Sequence, residues 1–302
     1  MIFMEILMRQ MKWMLGTGLL LALALPLRPF AQEGAGDVVY VPTPQIVVEE
    51  MLRMAKVGPG DFVIDLGSGD GRMVITAAKQ FGARGFGVDL DTVLLKLSNE
   101  NARREGVADR ARFIEQNLFE TDLSQATVIT SYLLPEMNEK LRPKLLNLKP
   151  GTRVVAHDYH MGEWHADEMR TLDVPEKKVG NPGKSYVYRW IVPAKIAGRW
   201  QSQIATGAAP ANWEFEFEQR FQMFDGVAKN GSRKITLRVP KLEGDQLSFQ
   251  FFTKPGDNST RFEFKGTVKG DVIDGALKLG DGAAQKQLPW NAKLVQRAAS
   301  PQ

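Results

Sequence analysis

The sequence predicts an α/β fold, a mostly parallel sheet covered on both faces, followed by a C-terminal all-β antiparallel domain. Three observations predict it. From about residue 44 to residue 193, short apolar runs bounded by turn signals alternate with segments of helical spacing, the pattern of a parallel sheet. Polar residues close successive strands at Asp65, Asp89, Tyr132, His157 and Asp158, the ends at which open α/β sheets bind ligands. After Pro193 the helical spacing stops and period-two alternation replaces it.

The leader differs from the rest of the chain. "MIFMEILMRQMK" precedes a run without charge from Trp13 to Leu27, and "RPFAQ" follows. That run falls short of the roughly 20 residues of a membrane span. The order of basic segment, apolar run and small residue predicts a signal peptide over residues 1–31, cut after Ala31. The body is then periplasmic or secreted. The competing reading is a retained anchor, with membrane association through this segment and the body in the cytoplasm.

The first folded domain is expected over residues 38–195. "VVYVPTP" is extended, and a helix follows from Pro44, with Ile46, Val47, Met51, Leu52 and Met54 at roughly helical spacing. "GPGD" stops it. "FVIDL" suits a buried strand and "RMVITAAKQF" a helix; "GARGFGVDLD" carries a second strand ending at Asp89. "TVLLKLSNENARREG" is a helix that stops at Gly106, and "RARFIEQ" and "ATVITSY" are strands. "EMNEKLRPKLLNL" is a helix, "GTRVVAHDY" a fifth strand and "KSYVYRWIVP" a late one.

The second domain is expected over residues 197–298. "NWEFEFEQRF", "SRKITLRVP", "DQLSFQFFT", "TRFEFKGTVKG", "DVIDGALKLG" and "WNAKLVQ" alternate, with "DGVAKNG", "EGD", "PGDN" and "KGD" as turns. Six or seven strands with short turns predict a small sandwich or partly closed barrel. Its aromatic face is either a packed core or a ligand cavity lined by Trp200, Trp213 and Trp290.

The loop "DLGSGDGR" after the first strand carries the chemistry. Gly67, Gly69 and Gly71 let the backbone turn at positive φ and approach a ligand closely. The loop delivers a helix N-terminus, whose free N–H groups favour anions. Asp89 ends the next strand, eighteen residues after Gly71, where a carboxylate accepts hydrogen bonds from ribose hydroxyls. The pair describes a nucleoside site. A dinucleotide fingerprint needs a third glycine where Arg72 stands, so a nicotinamide-dependent oxidoreductase is disfavoured.

With Asp65 ahead of the glycines, residues 38–193 resemble the class I S-adenosylmethionine-dependent methyltransferases. The resemblance implies a seven-stranded Rossmann-like sheet whose last strand runs antiparallel, with S-adenosyl-L-methionine on the glycine loop. Asp65, Gly67, Gly69 and Gly71 match the family's first motif, Asp89 its ribose-binding acid and Asn117 the residue that meets the adenine amino group. Ser68, Leu90 and Leu118, beside these, complete the expected cofactor contacts. "YVPTPQIVVEEML", "SYLLPEMNEKLRPKLLNLKPGTRVVAHDY" and "MGEW" are similar to the small group that includes the mitochondrial protein-lysine methyltransferases of the ATP synthase c-ring protein. That likeness implies a protein lysine as acceptor, with a small-molecule acceptor as the other possibility. The leader and the appended β-domain depart from the group's pattern. They leave open a non-enzymatic envelope binding module on a degenerate methyltransferase scaffold.

Methyl transfer requires alignment of donor and acceptor and a nucleophilic amine. Tyr132 and Glu136 flank "LLP" at the end of the fourth strand. Tyr132 is assigned to substrate positioning, and Glu136 to amine recognition or proton acceptance. The plain alternative for Glu136 is a first-turn carboxylate stabilised by the helix end. His157 and Asp158 are candidates for a base and its partner, although adjacent strand residues point to opposite faces; a cleft-lining, hydrogen-bonding histidine is the other reading.

The remaining composition narrows the classes. There is no cysteine, so neither thiol catalysis nor cysteine-bound metal is available. His157, His160 and His165 lack the spacing of a zinc motif, and no metal is expected. Ser68 stands one place away from a nucleophile elbow. The net charge of +4 comes from 39 basic and 35 acidic side chains scattered along the chain, which predicts no nucleic-acid partner.

Overall fold

A computed structural model describes residues 39–205, 210–253, 260–280 and 285–298. The expected signal peptide or anchor over residues 1–31 lies outside the described residues. Among those described, no helix is long and apolar enough to cross a membrane.

Chain order sets up an α/β layer first. Helix α1 (Gln45–Met54) leads into β1 (Phe62–Leu66), α2 (Arg72–Phe81), β2 (Arg84–Asp89), α3 (Thr92–Arg104), β3 (Ala111–Glu115) and β4 (Val128–Ser131). Then come α4 (Pro135–Leu145), β5 (Arg153–His157), β6 (Glu168–Val174) and β7 (Gly183–Ile191). The sheet has seven strands in the order β3-β2-β1-β4-β5-β7-β6. Strands β1 to β5 pair in parallel, and β7 runs antiparallel to both β5 and β6. The strand order reverses between β1 and β4, which opens a crevice beyond their C-terminal ends.

Period-two alternation explains why both faces are covered. Val63 and Val155 turn to one face and pack with Val47, Val48, Met51 and Leu52 of α1. Ile64, Leu66, Ile129 and Val154 turn to the other and pack with Leu141 and Leu145 of α4. Helix α3 starts at Asp91, whose carboxylate accepts from the Val93 N–H at 2.8 Å and the Leu94 N–H at 3.2 Å, a cap worth about 1 kcal/mol. Pro135 occupies the first turn of α4 and holds Leu134 extended at ψ 153°, as a residue before proline should be. Strand β6 carries no alternation in the sequence because most of it is exposed on the sheet's edge.

The chain leaves this sheet at Ile191 and enters a second at Gly198. That sheet comprises β8 (Gly198–Ile204), β9 (Ala211–Arg220), β10 (Met223–Asn230), β11 (Arg233–Thr236), β12 (Arg238–Glu243), β13 (Gln246–Phe252), β14 (Arg261–Lys269), β15 (Val272–Leu279) and β16 (Lys286–Arg297). Its nine strands run in the order β11-β10-β9-β8-β16-β15-β14-β13-β12, every pair antiparallel. β10 comes close to β12, so the sheet curls into a near-barrel.

The expectation of six or seven strands is corrected upward. "SRKITLRVP" divides at Leu237 into β11 and β12, "GRWQSQI" forms β8, and "DGVAKNG" lies in β10 rather than in a turn. Small and charged residues hide that last strand, whose interior contribution comes chiefly from Phe224 and Ala228. Trp200, Trp213 and Trp290 are buried together with Phe215, Phe249, Phe251 and Phe264 in a continuous core. Rings such as Phe249 and Phe264 stack with centroids 4.8 Å apart, a packed interior.

Candidate functional site

The crevice at the switch point is a cleft of about 390 Å³. Its floor is the loop from β1 into α2, built on glycine. Gly67, Gly69 and Gly71 all have positive φ, at 78°, 52° and 83°. A side chain at Gly69 would strike the Tyr40 ring at 2.3 Å. The extended piece 39–43 therefore lies directly against the loop and forms a second wall, with Tyr40, Val41, Pro42 and Thr43 all facing the cleft. Arg72 holds that wall in place: its Nη1 donates to the Thr43 carbonyl at 2.6 Å, while its Nε and Nη2 grip the Asp70 carboxylate. So the residue that breaks the dinucleotide fingerprint fastens the cleft.

Asp89 ends β2 on the cleft wall. Its Oδ2 accepts from the Gly69 N–H at 2.8 Å and its Oδ1 from the Asp91 N–H at 3.0 Å. Each oxygen keeps a further lone pair for a ligand hydroxyl. Asp65 lies deeper and accepts from the Thr130 hydroxyl at 2.6 Å. Burial pushes its carboxyl up to about 7, with the hydrogen bond from Thr130 opposing and the charges of Asp89 and Asp70 adding. The Ser68 and Ser131 hydroxyls are buried with no protein partner, and both residues line the cleft. Leu90, Asn117, Leu118 and Phe119 line it beyond Asp89. The Asn117 Oδ1 accepts from the Phe119 N–H at 2.9 Å, which orients the amide and leaves one lone pair.

Each part of this set suits a part of a ligand. A carboxylate tied to the glycine loop suits a ribose, the apolar stretch from Leu118 to Phe119 suits a base, and partnerless hydroxyls beside Asp65 suit a polar tail. Asp70 is neutralised by Arg72 and Asp91 is used in capping, so Asp65 and Asp89 leave the cleft negative. The donor set therefore fits a nucleoside with a cationic tail. It fits S-adenosylmethionine, which carries a sulfonium and an ammonium against one carboxylate.

The four expected catalytic residues separate. Tyr132 lines the cleft, and its hydroxyl donates to Asp158 Oδ2 at 3.3 Å. Burial, then the charge of Asp158, pushes the phenol up. Glu136 stands exposed on the first turn of α4, outside the cleft lining, where the helix end accounts for it. His157 is fully buried. Its Nδ1 pairs with the Thr43 hydroxyl at 3.2 Å and its Nε2 with the Ser185 hydroxyl at 2.9 Å. Burial pushes its imidazole down to about 4, so it stays neutral at pH 7. Its ring lies 4.0 Å from that of Tyr132, which makes it a support for the tyrosine. Asp158 is enclosed behind Tyr132 and does not reach the cleft. His160 and His165 are exposed, and among the described residues no group of three metal-ligating side chains converges.

Sequence reasoning misses Tyr40 and Thr43 as cleft residues and Lys177 as the partner of Asp158. "YVPTP" is visible as an extended piece, but its seat against the glycine loop is a long-range contact. Lys177 gives no signal at all.

Known proteins share this domain. The ANTKMT methyltransferase domain family matches residues 65–168. A protein-lysine N-methyltransferase of Saccharolobus islandicus is 47% identical over 134 residues, covering 44% of this chain and 83% of that protein. The lysine N-methyltransferase of Xenopus laevis named for the ATP synthase c-ring protein is 34% identical over 131 residues, 43% of this chain and 57% of the frog protein. The chain thus spans little more than half the length of that vertebrate relative. Among solved structures, an RNA methyltransferase from Salinibacter ruber in complex with S-adenosyl-L-homocysteine is 50% identical, with 52% of this chain and 96% of that chain covered and a TM-score of 0.47.

Proposed function

The chain belongs to the family of class I S-adenosylmethionine-dependent methyltransferases that contains the protein-lysine N-methyltransferases, and from that premise we propose that its acceptor is the ε-amine of a protein lysine. S-adenosylmethionine, its cofactor, supplies an electrophilic methyl on a positive sulfur. Asp89 and the Gly69 N–H hold the sugar end, Asn117 and Leu118 the base, and Asp65 with Ser131 the polar tail.

The work left to the protein concerns the amine. A lysine ammonium has a reference pKa of about 10.4 and must lose a proton before it can attack. Tyr132 stands at the end of β4, on the cleft wall away from Asp89. Its proton is directed to Asp158, so its oxygen lone pairs are free to accept a hydrogen bond from the incoming amine. That orients the nitrogen, and alignment is the main source of rate in such a displacement. The apolar Leu133 and Met137 beside it disfavour charge on the amine.

What supports this reading above all is the placement of Asp89, tied to the Gly69 N–H, and of Tyr132 in one cleft. The experiment is transfer of labelled methyl from S-adenosylmethionine into protein and small-molecule fractions of a cell extract, counted separately. Label in protein lysines, lost in Tyr132→Phe with cofactor affinity kept, supports it. Label in small molecules alone removes the lysine acceptor while leaving the enzyme class intact.

A further inference from the structure

Lys177 is a buried lysine that the cofactor cleft does not use. It lies in the connection from β6 to β7, and its side chain is 4% exposed. Its ammonium donates to Asp158 Oδ2 and to the Lys184 carbonyl, the latter at 2.7 Å. The connection is closed on itself: the Lys177 N–H donates to the Val174 carbonyl at 3.0 Å, and the Gly183 N–H donates to the Lys177 carbonyl at 3.1 Å. Lys177 is thus set in a fixed turn.

Asp158 is the residue this ammonium serves. Its side chain is completely enclosed, and its backbone is left-handed at φ 63°, a conformation a non-glycine residue holds only when its surroundings impose it. Oδ1 accepts from the Tyr186 N–H at 3.1 Å, and Oδ2 takes both the Lys177 ammonium and the Tyr132 hydroxyl. A second feature of the same connection points to the same place. A side chain at Gly180, at φ 75°, would meet Asp158 Oδ2 at 2.9 Å and the Tyr132 hydroxyl at 3.1 Å. The connection therefore touches the tyrosine hydroxyl with bare backbone.

We propose that Lys177 is a positioning residue for methyl transfer: through Asp158 it fixes the direction of the Tyr132 hydroxyl, so that the phenol accepts from the acceptor amine. This rests on the reading of the cleft given above. A charged carboxylate can only accept, which commits the Tyr132 proton to Asp158 and turns the oxygen lone pairs away from it. An enclosed carboxylate without its counter-ion neutralises or leaves its place. Once neutral it donates, and the phenol then turns its own proton towards the cleft, where it opposes an ammonium.

The test compares Lys177→Met, Asp158→Asn and the double variant in the full chain. Affinity for S-adenosylmethionine is read by calorimetry, kcat and KM by transfer to a lysine peptide. Lys177→Met is expected to lower kcat/KM at least tenfold with cofactor affinity within twofold of the parent. In the Asp158→Asn background the same change is expected to do nothing further, because there is no charge left to balance. The double variant also guards against misfolding of the single one, since it buries no unpaired charge. A loss shared equally by cofactor affinity, or independent additive losses, would overturn the proposal. A readout without turnover keeps it separate from the lysine reading. With only five tyrosines in the chain, the labelled Tyr132 Cζ resonance, assigned through Tyr132→Phe, is expected to move in Lys177→Met; an unmoved resonance refutes the relay whatever the acceptor.

Discussion

Asp89 combines two duties in one carboxylate. It secures the Gly69 N–H, and its free lone pairs face the place where a ribose would lie. Replacing it by alanine removes the ligand bonds and leaves the loop N–H without its acceptor. Hydrogen bonds to a charged group contribute about 1.5 to 3 kcal/mol each, so Asp89→Ala is expected to weaken S-adenosylmethionine binding by roughly 10- to 100-fold or more. Calorimetry reads this directly, and unchanged affinity would remove Asp89 from the site. Asp65 adds a pH dependence. Burial raises its carboxyl to about 7, so below neutral pH it holds a proton in the empty cleft. A cationic cofactor favours the charged form, and binding must expel that proton. Affinity is then expected to rise as pH increases to about 7 and to level off above it. Asp65→Asn should flatten the profile, and titrations in buffers of different ionisation enthalpy should show proton release from the parent alone.

At the scale of elements, what can be read from the sequence is what lies close along the chain. The glycine loop, Asp65 and the strand ending at Asp89 are local: each glycine answers a turn, and each acid follows an apolar run. β6 escapes because an exposed edge strand needs no apolar alternation. β10 escapes because "DGVAKNG" resembles a turn when its partners on β9 and β11 are unseen. His157 and Asp158 suggest a catalytic pair, yet His157 is turned towards Thr43 and Ser185 and Asp158 towards Lys177. Opposite pointing of neighbours is foreseeable; the partners are not, since they come from distant segments. The β6–β7 connection yields a prediction of its own. Gly180→Ala places a methyl against Asp158 and the Tyr132 hydroxyl and strains a left-handed backbone, at a cost of roughly 1 kcal/mol or more. Methyl transfer should fall several-fold while cofactor affinity holds. Gly231→Ala, a left-handed glycine in the β10–β11 turn with open space around it, controls for strain alone and should leave transfer unchanged.

For the whole molecule, the β-domain is built into the catalytic domain rather than strung after it. The hairpin between β9 and β10 reaches across with Phe221 and Gln222. Phe221 is buried in the core that holds Leu141, Trp164 and Trp190, with its ring stacked 6.4 Å from Trp164. It keeps a left-handed backbone at φ 55°, strain that its buried ring offsets. Gln222 Oε1 accepts from the Trp164 indole at 3.0 Å, and its amide donates to the His165 carbonyl at 2.7 Å. Gln219 ties the crossing segment, accepting from the Ile196 N–H and donating to the Ala194 carbonyl. Trp164 and its neighbours would lose this cover in a chain ended near residue 195. The two sheets should therefore unfold together. Phe221→Ala empties a ring-sized space in the catalytic core, and such a loss costs about 3 to 5 kcal/mol. In denaturant, with secondary structure and tryptophan emission as probes, the parent is expected to give one coincident transition. Phe221→Ala should move that whole transition to lower denaturant, not one phase of it. Two separate transitions in the parent, with only the β-domain's phase displaced in the variant, would show that the hairpin merely rests on its neighbour.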